Sequence, residues 1–194
     1  MKKVLSLLAL TVLSVAAFSF VAKVPATPYS VDVKESKVEW TGTKESGYHS
    51  GTFDLKSGTL NVENNKLTGG TFVIDLNSLK VSDAAGGTML EGHLKGKGFF
   101  NTEVNKEATF EITSVKYIND KKASIEGNVT LAGVKAKVSF VSSVNFFAAK
   151  EGQEISKFFG HTTFSIDRTL LGLTAAPGHI DNNVEISVNL FAGK

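Results

Sequence analysis

Side chains that could perform catalysis or bind a metal are few in this sequence, and they are scattered. The four histidines, His49, His93, His161 and His179, are never three or four residues apart, the spacing at which one helix face presents two metal ligands. His49 and His161 could approach each other only through the fold. The chain has no cysteine and no serine in a G-x-S-x-G motif, which excludes thiolate ligands, disulfides and the familiar nucleophiles. We therefore predict no metal, no cofactor and no catalytic residue.

Two polar positions are candidates for recognition of a ligand's head group. Arg168 offers a guanidinium that can hold a pyrophosphate or a carbonyl group through paired hydrogen bonds, whereas an ion pair with the adjacent Asp167 would only fix the end of a strand. His93 lies in a glycine-rich segment, where it either contacts a head group or is an exposed loop histidine. The residues alone leave both alternatives open.

The first 22 residues have the pattern of a secretory signal peptide. Lys2 and Lys3 provide a basic start, and residues 4–22 contain no charged side chain. Small residues place the cleavage site after Ala17 or Ala22. A run of about 19 apolar residues could also cross a membrane as a retained anchor, but serines and threonines interrupt this one. We predict a signal peptide over 1–22, a linker over 23–28, one domain over 29–194 and a periplasmic location.

The charge balance argues against nucleic acid as a partner. The chain has 21 basic and 19 acidic residues, and loss of Lys2 and Lys3 with the signal peptide makes the two numbers equal. A mature chain without excess positive charge has no basic stripe to hold a phosphate backbone. We expect a soluble mature form that is not embedded in a membrane, and the sequence leaves a homodimer open.

Alternation of apolar and polar residues from Tyr29 onward predicts strands that have one face on a core. The apolar parity switches near Ser57-Gly58 and again between Ile112 and Val115, which indicates β-bulges. Residues 82–100 break the pattern and are glycine-rich, and we assign them one short helix and a loop. We predict an all-β fold, an antiparallel up-and-down (lipocalin-like) barrel of about eight strands with one short helix.

The phenylalanines raise the question of whether such a barrel is filled or hollow. Of the 14 Phe residues, 12 follow the predicted signal peptide, and half of those form adjacent pairs at 99–100, 146–147 and 158–159. Neighbours in a strand point to opposite faces, whereas a pair in a loop can turn inward together. A small barrel is either plugged by its own side chains or holds one small ligand. Aromatic content alone favours the filled interior.

A series of short motifs, in order along nearly the whole mature chain, resembles the YceI-like family of periplasmic, lipocalin-like proteins associated with polyisoprenoid binding. The matching segments are Tyr29-Ser30-Val31-Asp32 with Val38-Glu39-Trp40, Gly51-Thr52-Phe53 with Ser57-Gly58-Thr59-Leu60, the stretch from His93 to Phe100 with Ala108-Thr109-Phe110-Glu111, Gly127 to Val134, and Ile166 to Leu173.

This resemblance implies a barrel with an elongated apolar interior that takes an isoprenoid lipid, such as a polyprenyl compound or a quinone, or a similar amphiphile. Each buried CH₂ contributes about 0.8 kcal/mol, so a dry tube can hold such a tail by burial alone. The residues expected to contact the ligand are Trp40, Phe53, Leu55, Phe72, Ile74, His93, Leu94, Phe99, Phe100, Phe110, Phe140, Phe159, Phe164 and Arg168.

Two other functions stay open at this point. A lipid-modifying isomerase or cyclase could use the same cavity, and a protein with a filled core could act through its surface instead. An enzyme needs at least one titratable group facing the tube. The positions assigned inward are almost all apolar, which favours a binding protein and no enzyme activity.

Overall fold

The computed structural model describes residues 25–83 and 87–194, so the predicted signal peptide and its cleavage site lie outside the described residues. Within them, nine β-strands, one α-helix and one 3-10 helix form in order along the chain. The elements are β1 (Thr27–Val31), β2 (Lys37–Lys44), β3 (Gly47–Glu63), β4 (Lys66–Val81), α1 (Gly87–Lys95), β5 (Glu107–Asn119), β6 (Lys122–Leu131), β7 (Val134–Ala148), β8 (Ile155–Asp167), the 3-10 helix (Arg168–Leu171) and β9 (Ile180–Gly193).

All strands belong to one antiparallel sheet that closes on itself. Each strand from β2 to β8 pairs with its successor along the chain, and β9 returns to pair with β2. This gives a ring of eight strands in up-and-down order, and α1 is the short helix between β4 and β5. The predicted fold class is confirmed: all-β, antiparallel and barrel-like.

The ninth strand, β1, continues the wall beyond the first residue of β2, toward the end of the ring opposite Lys44. β1 pairs with residues 59–62 of β3 on one side and with Ala192 and Gly193 of β9 on the other. The bend between β1 and β2 is fixed by Ser36, whose Oγ accepts a hydrogen bond from the Phe191 amide at 3.0 Å. The position between β3 and β9 is therefore occupied along most of the ring's length.

The ring has two different ends. The helical end carries the β2–β3 turn, α1, the β6–β7 turn at 132–133 and the 3-10 helix with the following segment 172–179. The far end carries the turns at 64–65 and 120–121 and the loop 149–154. The charged residues that face the interior lie at the helical end.

Two bulges keep apolar side chains pointing inward along the long strands. Leu55 pairs with Ile74 and Ser57 pairs with Val73, so Lys56 is the extra residue, and this is the bulge expected near Ser57-Gly58. A second register shift between Ile112 and Ser114 on β5 accounts for the other parity switch. Each bulge restores the same face to the interior after one inserted residue.

Glycine makes room for an aromatic ring at one point of the wall. A Cβ added to Gly127 on β6 would lie 2.3 Å from Cε2 of Phe110 and 2.6 Å from the Glu111 carbonyl oxygen. Both distances are far inside van der Waals contact. The Phe110 ring therefore lies this close to β6 only because residue 127 has no side chain.

We expect Gly127→Ala to lower the free energy of unfolding by about 1–3 kcal/mol, the usual cost of forcing extra volume into a packed site. Urea denaturation monitored by circular dichroism measures this change. Gly42→Ala on β2 is the matched control, since an added Cβ there has nothing within 4 Å. An equal loss of stability in both variants would contradict the proposed clash.

Candidate functional site

A cavity of about 490 Å³ lies inside the ring of strands. Its wall is made by alternate residues of the strands; along β9 these are Val184, Ile186, Val188 and Leu190. All four point inward, yet each keeps part of its surface accessible. Apolar side chains that face an interior without being fully covered line a space and do not fill it.

Four phenylalanines form a continuous aromatic wall on one side of this cavity. The ring centroids are 5.9 Å apart from Phe72 to Phe110, 5.9 Å from Phe110 to Phe140 and 4.5 Å from Phe140 to Phe164. The four residues belong to β4, β5, β7 and β8. Contacts between the rings hold each one against the strands, so the rings shape the cavity without plugging it.

Most residues expected at a ligand site do line the cavity. The structure brings thirteen of them to its wall: Trp40, Phe53, Leu55, Phe72, Ile74, His93, Leu94, Phe99, Phe100, Phe110, Phe140, Phe164 and Arg168. Their contact with a ligand stays a prediction.

Phe159 is the exception, and its assignment to the interior was wrong. Phe159 lies between Phe158 and Gly160, which both line the cavity, so the pleat of β8 directs it to the outer face. There its ring packs against Phe191 at 4.7 Å. Counting back from Phe164 in steps of two would have selected Phe158 from the sequence.

The adjacent phenylalanine pairs follow the two patterns expected of them. Phe158 is buried and Phe159 faces outward, and on β7 Phe146 packs on Phe158 while Phe147 is exposed. The pair at 99–100 lies after α1, outside any strand, and both of its rings reach the cavity. Loop geometry thus places two aromatic side chains at the helical end.

The charged and titratable side chains that line the cavity all lie at the helical end. This set consists of Lys44, His49, His93, Arg168 and Asp181. The lining residues toward the far end, such as Leu60, Leu67, Ile125 and Phe158, are uncharged and mostly apolar, and the hydroxyls of Ser142 and Thr162 donate to backbone carbonyls of the wall. The cavity is therefore amphipathic along its length, with one polar end.

Arg168 is the most deeply buried of these charged groups, with 5% of its surface exposed. Its Nε donates to the Asp181 carbonyl at 3.2 Å, and its Nη1 donates to the Leu173 carbonyl. Its Nη2 is buried without a hydrogen-bond partner among the described residues. The side chain is thus held by two backbone carbonyls, and its third nitrogen has no partner in residues 25–83 and 87–194.

Asp167 does not form the ion pair with Arg168 that the sequence left open. Its carboxylate instead accepts hydrogen bonds from the amide of Thr169 at 2.9 Å and from the hydroxyl of Thr169 at 2.6 Å. These bonds cap the 3-10 helix on which Arg168 stands. Donation by the Thr169 hydroxyl, and then by its amide, holds the pKa of Asp167 below its usual value.

Trp40 provides a second unpaired donor in the cavity wall. Its indole is 8% exposed, and Nε1 has no hydrogen-bond partner among the described residues. Sequence reasoning selected Trp40 for its apolar area and did not foresee this free N–H group. Buried donors are normally paired, so an unpaired one at a cavity marks a position where a ligand can supply the acceptor.

The histidines are separated by the fold. His49 lines the cavity, with Nδ1 3.0 Å from Oδ1 of Asp83, whereas His161 lies on the outer surface with Nδ1 3.0 Å from Oδ1 of Asn189. The two therefore do not meet at a common site. Over residues 25–83 and 87–194, no group of three or more His, Cys, Asp or Glu side chains is arranged to hold a metal ion.

No helix in the described part of the chain has both the length and the apolar character needed to cross a membrane.

Comparisons with known proteins place the chain among relatives of the same fold. The family model described as the YceI-like domain matches residues 29–192. UPF0312 proteins of a Shewanella species and of Shewanella putrefaciens are each 29% identical over 146 residues, which is 73% of this chain and 72% of the relative.

Solved structures share this architecture at low identity. The crystal structure of BcnA from Burkholderia cenocepacia has a TM-score of 0.68 at 19% identity, over 83% of this chain and 98% of that one. A Campylobacter jejuni YCEI protein, crystallised with large solvent channels, has a TM-score of 0.58 at 16% identity, over 73% and 84% of the two chains. Both likenesses concern the fold.

The capping role of Asp167 predicts a pH-dependent difference in stability. Because its pKa is lowered in the folded state, the carboxylate stabilises the fold above the ordinary value of 3.8, and this contribution is lost as the pH falls through the lowered pKa. The difference in Tm between the wild type and Asp167→Ala should therefore shrink below pH 3.8. Asp167→Asn is the control, since its amide oxygen accepts the same bonds without titrating. A difference in Tm between the wild type and Asp167→Ala that stays constant with pH would contradict the capping role.

Proposed function

Because the chain belongs to the YceI-like domain family, we propose that it is a periplasmic binding protein for an isoprenoid-type lipid, such as a polyprenyl compound or a quinone, or a similar amphiphile. The observation that carries the proposal is the cavity of about 490 Å³ inside the ring, lined almost throughout by apolar side chains. This volume lies within the range of about 300–1,000 Å³ typical of small-molecule sites.

The energetics of burial support a lipid tail as the occupant. About ten carbons transferred from water into this wall contribute about 8 kcal/mol, before the cost of immobilising the ligand is subtracted. Aromatic rings that are held by one another, as in the Phe72–Phe110–Phe140–Phe164 wall, need little rearrangement to receive the tail. A preformed apolar site therefore supplies affinity without specific polar contacts along the tail.

The division of the cavity into a polar and an apolar end supports an amphiphile in one orientation. The head group lies at the helical end near Arg168 and His93, and the tail runs toward Leu60 and Phe158 at the far end. The reverse orientation would bury a polar head among apolar groups without partners, which costs several kcal/mol.

The division of the cavity into a polar and an apolar end favours a binding protein over an enzyme. In the described residues, each titratable side chain that reaches the cavity is at the helical end, and the wall beside the tail offers no acid or base. An isomerase or a cyclase acting on the tail would require such a group beside the reacting carbons. The protein then acts as a carrier or store that shields a poorly soluble lipid from water.

The location and the domain limits complete the proposal. The basic and then apolar residues over 1–22 support export through a cleaved signal peptide, and residues 23–28 form the linker. The family match over 29–192 supports a single binding domain over 29–194. We propose the mature form as a soluble protein, as a monomer or a homodimer, in the space between two membranes.

A direct test is to purify the mature protein from the cells that produce it, extract it with organic solvent and analyse the extract by mass spectrometry. A prenyl lipid in near-stoichiometric amount is the expected result. An extract without lipid, together with no binding of an added apolar dye, would contradict the proposal.

Filling part of the cavity should weaken binding without harming the fold. We expect Val188→Phe, on the cavity wall, to weaken binding of farnesol by about tenfold or more, because the new ring occupies the tail's space. The Tm should not fall, since the ring enters unfilled volume. Val141→Phe on the outer face, where Val141 is 51% exposed, is the matched control and should bind as the wild type does.

A filled interior would give the opposite pattern. Val188→Phe would then overpack the core and lower the free energy of unfolding by about 1–3 kcal/mol, and neither variant nor wild type would bind farnesol. Isothermal titration and urea denaturation together separate the two cases.

A further inference from the structure

The indole of Trp40 lies midway along the cavity, away from the charged side chains of the helical end. Trp40 of β2 pairs with Ile186 of β9, which pairs in turn with Phe164 of β8, so these three residues form one inward row. The next inward row toward the helical end contains Val184 and Ile166. Successive inward residues of a strand are about 7 Å apart, so this apolar row separates Trp40 from the charged residues.

Gly51 makes room for the indole on the neighbouring strand β3. Trp40 pairs with Gly51, and a Cβ added to Gly51 would lie 2.7 Å from Cε2 of Trp40, the ring carbon that bears Nε1. The same Cβ would lie 1.8 Å from the Lys80 carbonyl oxygen. The ring therefore packs against the backbone of β3 with 8% of the residue exposed, and its N–H group has a fixed position in the wall.

Buried hydroxyl groups in the adjoining part of the wall are satisfied within the protein. Ser142 donates to the His161 carbonyl at 3.1 Å, and Thr162 donates to the Val141 carbonyl at 3.0 Å. Nε1 of Trp40 differs from them, since no partner for it exists in residues 25–83 and 87–194. An indole N–H group can only donate, and leaving a buried donor unpaired is costly. This position therefore calls for an acceptor from a bound molecule.

The surroundings of Trp40 decide which kind of acceptor fits. Ile186 and Phe164 share its row, Val38 and Val188 line the next row toward the far end, and the charged lining residues of the described chain lie at the helical end. An anion beside Trp40 would lose its water without a counter-charge, at a far greater cost than one hydrogen bond offsets. A carbonyl or ether oxygen is neutral, accepts from the N–H group and brings no donor of its own.

We propose that the bound lipid carries a neutral acceptor oxygen, of a carbonyl or an ether group, within its tail, and that Nε1 of Trp40 donates a hydrogen bond to it. This inference rests on the proposed lipid-binding function and adds a contact beyond the head group. Burial of the tail supplies most of the affinity, while this bond fixes the depth at which the oxygen must lie. A tail of carbon and hydrogen alone would leave the N–H group unpaired.

Positional isomers of one ligand test this depth. Dodecanol and its oxo derivatives, each with one ketone at a different carbon of the tail, are titrated by calorimetry against the delipidated mature protein. The isomers share one formula, so differences in affinity among them report the position of the oxygen. We expect one isomer, or two with adjacent ketone positions, to bind about threefold to tenfold more tightly than the rest, the gain from one hydrogen bond.

The indole itself provides a second measurement. The chain has a single tryptophan, so the proton–nitrogen correlation spectrum of the labelled protein contains one indole signal. A hydrogen bond from Nε1 moves its proton signal downfield. We expect the largest downfield shift with the isomer that binds most tightly, and a smaller one with dodecanol, whose tail offers no acceptor.

Removal of the donor should abolish the ranking of the isomers. Trp40→Phe retains an aromatic ring without the N–H group and should bind all isomers with equal affinity. If this variant does not fold, the benzothiophene isostere of tryptophan, incorporated at the single tryptophan position, removes the N–H group alone. Phe164→Leu in the same row is the matched control, since it removes wall area but no donor. It should weaken binding of all isomers alike and keep their ranking.

Each result supports or overturns this bond. Equal affinities of the isomers for the wild type, or an indole signal that none of them moves, would overturn it, while binding of dodecanol would still uphold the lipid site. A ranking that persists without the N–H group, or that Phe164→Leu also removes, would overturn it as well, because the shape of the wall would then select the isomer. Failure of dodecanol and of every isomer to bind would contradict the proposed function itself, and this inference with it.

Discussion

The pairing of β9 with β2 is the interaction on which the rest of this structure depends. It turns a meander of strands into a closed ring, so every strand of that ring has a hydrogen-bonded neighbour on both sides. An open sheet must cover a face and protect two edges, whereas a closed one has no edge strand in the ring. Backbone hydrogen bonds therefore hold the wall, and the interior can stay partly unfilled.

Closure also explains why an apolar interior can end in charged groups. The strands carry their inward side chains at fixed spacing, so the far end collects Leu, Ile and Phe, while the start of β3, α1 and the 3-10 helix bring His49, His93 and Arg168 to the other end. Two buried donors at that wall have no partner in the described chain. Buried donors are normally paired, and an acceptor on the ligand that we propose would pair them.

Much of the fold was readable from local pattern. Alternation predicted the strands, the two parity switches predicted the bulges at β3 and β5, and the break in alternation over residues 82–100 predicted α1. The choice of Phe159 over Phe158 failed for a physical reason. Side chains alternate along β8, so Phe158 shares the inward face of Phe164 and Phe159 does not, and the adjacent pair taken by itself hides this parity.

The sequence by itself determined the strand-forming periodicity, the apolar character of the inward positions and the presence of a lone arginine after β8, because these depend on the order of neighbouring residues. Only the tertiary structure decided that the interior is a cavity, that Asp167 caps the 3-10 helix instead of pairing with Arg168, and that Nε1 of Trp40 has no partner among the described residues. Cavity volume and hydrogen-bond partners are set by residues distant in the chain. They exist only once β9 has closed the ring.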